Sequence, residues 1–404
     1  MEKTVPKIRF SEFNGDWRVT KLGKTLTRHS ENNKDEEFKL EDILSLSSIF
    51  GIVDRKELLE DAYEKVNHLA YSKTRFNDFV YGKSITTNNP FGLFKANKCR
   101  DGLLSTLYFT YKVENNTSAD YLDSYFSHAN RANNFLRKFV LVGDRYITAD
   151  SNFILSGEIF LPSLQEQVKI TNFLKTVNNN INQLKKKKEL LEQYKKGVMQ
   201  KLFSQKLRFK DDNEEDFAEW DDKILGEITF KAGKKNKDNI KYPIYSINNK
   251  EGFIPQADQF DGMDSNKRGY DITLYKLIEK NTFAYNPARI NVGSIGYSGK
   301  LNNVIVSSLY VCFKTIDIVN DYFLLHFFSS QYFNKSVLAN VEGGVRQYLF
   351  FENFSRIEIY LPSLPEQTKI ANFLSAIDDK ISHCALQIEK MEGWKKGLLQ
   401  QMFV

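Results

Sequence analysis

Apolar residues recur every seven positions along two stretches of the chain. In the first stretch the row is Ile170, Val177, Leu184, Leu191 and Val198, with Leu174 and Ile181 as a companion row four places on. In the second it is Ile370, Ile377, Cys384, Met391 and Leu398, with Leu374, Ile381 and Ile388 beside it. Sustained heptads predict a coiled-coil seam. Pro162 and Pro362 stand just ahead of the two stretches, where a helix can begin but not be continued from upstream. Gly197 and Gly397 are expected to weaken the last turns. A helix of about 36 residues spans roughly 54 Å. An isolated amphipathic helix cannot bury its seam, so the two stretches are each other's most available partners. The seam alone does not set their direction, although equivalent halves related by a pseudo-two-fold would favour an antiparallel pair.

The pattern repeats because the chain is written twice. LPSLQEQVKITNFL at 161–174 returns as LPSLPEQTKIANFL at 361–374. KKGVMQKLF at 195–203 returns as KKGLLQQMF at 395–403. Upstream, Ser105-Thr106-Leu107-Tyr108 matches Ser307-Ser308-Leu309-Tyr310, and Phe79-Val80-Tyr81 matches Phe283-Ala284-Tyr285. Arg9-Phe10, Trp17 and Leu22-Gly23 return as Arg208-Phe209, Trp220 and Leu225-Gly226. The expected organisation is a first globular domain over 1–160, a helical spacer over 161–205, a second domain over 206–360 and a second spacer over 361–404.

Outside the spacers the pattern changes to short alternating runs rich in Phe, Tyr and β-branched residues. Leu107–Tyr111, Ile244–Ile247 and Val304–Phe313 read as strands. Tyr322–Phe328 is apolar without alternation and reads as a helix packed on a sheet. Each globular half is therefore expected to be α+β with a mixed or curved sheet. Asn32–Glu37 reads as a polar loop, and Lys210–Glu219 as an exposed acidic linker into the second half.

Composition narrows the function classes. Hydrophobic residues make up 41% of the 404 positions, enough for real cores. The net charge of +6 permits a polyanionic partner without requiring one. Cys99, Cys312 and Cys384 are too scattered for a disulfide framework or a CxxC zinc site, and no HExxH motif occurs, so no metal centre is expected. Met1–Lys7 has no apolar core of a signal peptide, and no run approaches 18 apolar residues. A cytoplasmic protein is expected.

The duplicated LPSLxEQxKIxNFL segments, the heptad tails ending in KKGxxQxxF and the openings with RF, W and LG resemble the specificity subunit of type I restriction-modification systems. The resemblance covers essentially the whole chain. It implies two tandem target recognition domains, each reading one half of a bipartite, asymmetric duplex DNA target. It implies that the helices form an antiparallel coiled coil that sets the gap between half-sites. It also implies partners: two modification (methyltransferase) subunits and separate restriction and translocase subunits. S-adenosylmethionine, ATP and Mg would reside on those partners, which methylate adenine and restrict DNA. The chain itself would catalyse nothing and bind no cofactor.

The residues agree with a non-catalytic reading. Asn89-Pro90-Phe91-Gly92 lacks the second proline of an amino-methyltransferase motif and reads better as a turn. No GxxxxGKS/T nucleotide loop occurs. Asp221-Asp222-Lys223 has no acidic counterpart in the first half.

DNA binding needs cations for phosphates and planar donors for base edges. In the first half the candidates are Lys73, Arg75, Lys83, Asn88, Asn89, Lys95, Lys98 and Arg100. In the second they are the basic loop Lys231, Lys234, Lys235 and Lys237, the turn Asn248, Asn249 and Lys250, then Lys267, Arg268, Arg289 and Asn291. Arg145 and Arg346 occupy matching places after Gly143 and Gly344, as shared scaffold or shared phosphate contacts. Lys185–Lys188 reads first as a solvated helix face and second as a contact to passing DNA. The competing class is a coiled-coil scaffold whose two domains bind non-DNA ligands; salt-dependent duplex binding separates the two readings.

Overall fold

The computed structural model describes residues 5–59, 66–143, 147–342 and 347–404. The chain divides into two compact units, residues 1–185 with 386–404, and residues 186–385.

In the first unit the central sheet runs in the order Leu26–His29, Tyr108–Val113, Phe79–Gly82, Leu93–Ala96, every neighbour antiparallel. The repeat of this sheet in the second unit is Thr229–Lys231, Val311–Thr315, Phe283–Tyr285, Ile295–Tyr297. Phe79 and Phe94 stack across neighbouring strands, as Phe283 and Phe313 do in the second unit, so the matched FVY and FAY segments are core anchors. The second unit adds a mixed sheet, Gly252–Pro255, Ile244–Asn248, Val304–Val306, Lys276–Ile278, with one parallel pair. The α+β expectation holds. The apolar run 304–313, however, is two strands separated by a tight turn in which Tyr310 N–H donates to the Ser307 carbonyl at 3.1 Å. The matching turn closes on Ser105 from Tyr108 N–H at 3.0 Å, so the shared S-x-L-Y segment encodes a turn rather than a strand.

Two short helices cover each central sheet, Ala119–Phe126 and Ala129–Leu136 in one unit, Asp321–Phe328 and Gln331–Asn340 in the other. The predicted helix at 322–328 is the first of the latter pair.

The heptad stretches form single helices, Leu164–Phe203 and Leu364–Gln401. Both run through Gly197 and Gly397, because tertiary packing outweighs about 1 kcal/mol of glycine propensity. In the first unit Ile170, Leu174, Val177 and Ile181 pack with Leu398, Met402 and Phe403, while Lys185 pairs with Glu392 at 2.6 Å. Early positions of one helix thus meet late positions of the other, and the pair is antiparallel. In the second unit Val198, Met199, Leu202 and Phe203 share a core with Ile370, Leu374 and Ile377. Cys384 is buried; Leu184, Leu191, Ile381, Ile388 and Met391 are half-buried on the same seam.

One set of side-chain ties explains the repeated LPSLxEQ motif. Buried Glu166 accepts from Arg9 Nε and a terminal guanidinium nitrogen, both at 2.8 Å, and from Trp17 Nε1 at 3.2 Å. Buried Glu366 accepts from Arg208 at 3.2 and 2.9 Å and from Trp220 Nε1 at 2.9 Å. Gln167 Oε1 accepts from Ser118 N–H, which precedes the first covering helix, and Gln367 Oε1 accepts from Asn320 N–H at the same place. Each amide also donates to the proline carbonyl of its own motif, Pro162 or Pro362. The glutamate neutralises an arginine and accepts from a tryptophan, both brought from the domain's start, and the glutamine fixes the domain's helices to the long helix. The expected acidic linker is a turn held down by Lys369, which reaches the Lys210 carbonyl and Asp212 at 2.9 and 2.6 Å.

Candidate nucleic-acid interface

In the first unit most candidate cations are already committed. Lys73 is buried among carboxylates: its side chain is 2% exposed and its ammonium lies 3.0, 2.6 and 2.8 Å from Glu31, Asp35 and Glu37. The polar loop 32–37 therefore closes over a lysine, and a phosphate would have to displace three carboxylates. Hydrogen bonds donated to Asp35 and Glu37 raise the Lys73 pKa well above the usual lysine range. The same three carboxylates are the cluster in the described residues closest to a cation site, and the Lys73 ammonium already fills it. Arg75 is bidentate to Glu37 at 2.7 and 2.9 Å, and Arg75, then Lys73, hold the Glu37 pKa down at about 2. Arg100 is tied to Asp42 and Asp54, Lys98 lies 2.6 Å from Asp120, and Lys95 lies 3.5 Å from Asp123. Asn88 is exposed and its carbonyl accepts from Asn133; Asn89 folds back onto Thr86.

Lys83 differs. Its ammonium lies 4.1 Å from the centre of the Phe109 ring, and the Arg28 guanidinium lies 4.5 Å from the same ring. Neither makes an ion pair among the described residues. Burial lowers the Lys83 pKa, and the neighbouring Arg28 lowers it further. Two like charges around one ring, without a carboxylate, form a ready seat for an anion. Sequence reasoning missed Arg28. A signal existed: Arg28 stands six places after Leu22-Gly23, and Lys231 stands six places after Leu225-Gly226.

In the second unit the cations are more open. Lys231 pairs with Glu352 and lies over the Phe351 ring at 5.3 Å. Lys234, Lys235 and Lys237 are exposed and make no side-chain ion pair among the described residues. Their loop is held by its backbone: Ala232 N–H donates to Cys312, Asn236 N–H to Tyr275, and Gly233 supplies a φ of +83°. Lys231 and Lys234 share a groove with Glu279 and Lys314. Asn248 caps its own hairpin, its Oδ1 accepting from Lys250 N–H and Glu251 N–H. Asn249 and Lys250, expected at one turn, and Asn291, expected in another loop, line one groove of about 720 Å3 together with Gly252 and Gly293. Lys267 Nζ donates to the Gly262 carbonyl, Arg268 lies over Phe260 at 4.9 Å, and Arg289 is exposed. Arg145 and Arg346 lie outside the described residues. In the Lys185–Lys188 run, Lys185, Lys186 and Lys188 pair with Glu392, Glu189 and Glu192.

Two α+β domains, each locked to a long helix by one Arg–Trp–Glu–Gln set of ties, define a duplicated domain-and-helix architecture. Residues 216–390 match the family of the type I restriction modification DNA specificity domain. Over 254 residues, 60% of the chain, it is 28% identical to a Methanocaldococcus jannaschii protein assigned to the type I restriction enzyme MjaX as its specificity subunit. It is 26% identical over 274 residues, 62% of the chain, to the MjaVIII specificity subunit of the same organism. The matched segments span 57% and 62% of those relatives. The fold is similar to that of the type I restriction-modification S subunit from M. genitalium, with a TM-score of 0.58, 14% identity and 99% of each chain covered. Over residues 216–390 and over about 60% of its length the chain is thus similar to type I restriction-modification specificity subunits. Among the described residues no helix is long and apolar enough to cross a membrane.

Proposed function

We propose that this chain is the DNA-specificity subunit of a type I restriction-modification complex and works in the cytoplasm. Residues 1–160 and 206–360 each read one half of a bipartite, asymmetric duplex target. The chain directs partner modification and restriction subunits and performs no catalysis itself. S-adenosylmethionine, ATP and Mg belong to those partners. The observation that carries the reading is one framework dressed with two different cationic surfaces. The Arg–Trp–Glu–Gln ties recur in both units, while Arg28 and Lys83 are open in one and Lys234, Lys235, Lys237, Lys250, Arg268 and Arg289 in the other. A shared scaffold with unlike readers suits a target whose two halves differ.

Duplex binding by the full chain, assembled with its modification subunits, should fall steeply as salt rises, because each phosphate contact releases counterions. Salt-independent or absent binding would favour the non-DNA scaffold. The antiparallel helices supply the gap, so adding one helical turn to both should change the spacing tolerated between half-sites. An unchanged spacing would remove the helices' role as a ruler.

A further inference from the structure

The duplication offers an internal control. Each unit has a groove where the turn between its two covering helices meets the two long helices. In the first unit it has a volume of about 590 Å3 and is lined by Ser127–Asn130, Asn178, Lys185, Glu392, Lys395 and Lys396, among others. In the second it has a volume of about 510 Å3 and is lined by the matching Ser329–Tyr332, Asp378, Glu192, Lys195 and Lys196.

The two grooves differ in how their positive charge is met. In the second, Lys195 Nζ lies 2.6 and 2.7 Å from the two oxygens of Asp378. Two lysines face two carboxylates, so the lining is neutral. In the first, Lys395 replaces Lys195 and Asn178 replaces Asp378. Lys185, Lys395 and Lys396 face Glu392 alone, which leaves two positive charges. Glu392 is engaged by Lys185 at 2.6 Å, and Lys395 makes no hydrogen bond or ion pair among the described residues. Burial, then the nearby Lys95, lowers the Lys395 pKa; the Glu392 and Asp123 carboxylates, neither hydrogen-bonded to it, offset this only in part. The helix end beside it also differs: Ser330 caps the second unit's helix through its hydroxyl, whereas His128 provides no side-chain cap in the first. A half-buried ammonium with no carboxylate in direct contact is costly unless an anion arrives to meet it.

We propose that this first-unit groove holds a backbone phosphate of duplex DNA through Lys395 and Lys396, with Asn178 leaving the place of the counter-ion open. The inference rests on the DNA-specificity reading. A phosphodiester suits the lining better than a single protein carboxylate, because the lysines are supplemented by amide donors from Asn130, Asn178 and Asn182. A phosphate contact of this kind is independent of base sequence.

The test is Asn178→Asp in the full chain assembled with its modification subunits. This change installs the counter-charge that the second unit already carries. Duplex affinity should drop about 3- to 10-fold at low salt, and the slope of log K against log salt should become shallower by about one. Lys395→Gln should give the same two changes, which guards against a folding defect in either variant. Unchanged affinity and slope in both variants, with wild-type binding intact, would overturn the groove assignment and leave the DNA-specificity reading standing. Loss of subunit assembly with unchanged duplex binding would assign the groove to a protein carboxylate and also overturn it. A wild-type complex that binds no duplex would fail the underlying reading first.

Discussion

The two units share a skeleton and differ in what they do with their arginines and lysines. In the first, Lys73, Arg75, Lys95, Lys98 and Arg100 are absorbed by carboxylates of the same unit. In the second, Lys234, Lys235 and Lys237 stand on a loop with no such partner among the described residues. Within the skeleton, Glu166 and Glu366 do the same work in nearly the same geometry. Divergence is therefore concentrated in surface charge and in the sheets that carry it, while the ties to the long helices are retained. In a bipartite reader, the ties set where the domains are held and the surfaces set what they read.

The largest expected effect breaks the shared part. Glu366→Ala leaves Arg208 and Trp220 without their acceptor, and should lower stability by about 3–5 kcal/mol in chemical denaturation. Glu166→Ala should do the same for the first unit. A cost in only one unit would end the equivalence of the ties.

The next effect separates the units. His326 is buried against the second long helix, 3.1 Å from Ser375 Oγ, and burial brings its pKa down to about 4, with Lys195 adding to the drop. Asp378, 3.9 Å away, does not offset that burial. The folded state then binds fewer protons than the unfolded chain between an ordinary histidine pKa near 6.5 and about 4. Stability is intact above that window and is lost as pH falls through it, on the order of 2–3 kcal/mol. The thermal midpoint of His326→Gln should fall less than wild type between pH 7 and 4.5. Parallel pH curves would show that His326 does not titrate in this way. The first-unit counterpart position is not a histidine, so the second unit should be the more acid-sensitive.

The smallest effects concern the open cations. Arg28→Gln and Lys83→Gln should each weaken duplex binding several-fold and flatten the salt slope by about one. Arg75→Gln, already paired to Glu37, should stay within about two-fold. The reverse ranking would mean that pairing within the unit does not predict which cations meet DNA.

The duplication, the seam and the two domain types were legible in the sequence because each is a pattern of period seven or of offset 200. The α+β class followed from alternating runs broken by one apolar helix. The site was less legible. The carboxylates that take up Lys73 lie 36–42 positions away, and those on Arg100 lie 46 and 58 away. No local pattern announces such pairs. Arg28 was hidden for a different reason: an arginine on an edge strand looks like an ordinary outward residue until Phe109 and Lys83 are brought beside it.

Mapping methylated bases in DNA from cells that express this chain with the modification subunits proposed for it tests the bipartite reading most directly. One split motif, two unlike short half-sites at a fixed gap, is expected. A single continuous motif, or no methylation from an intact and soluble complex, would contradict it.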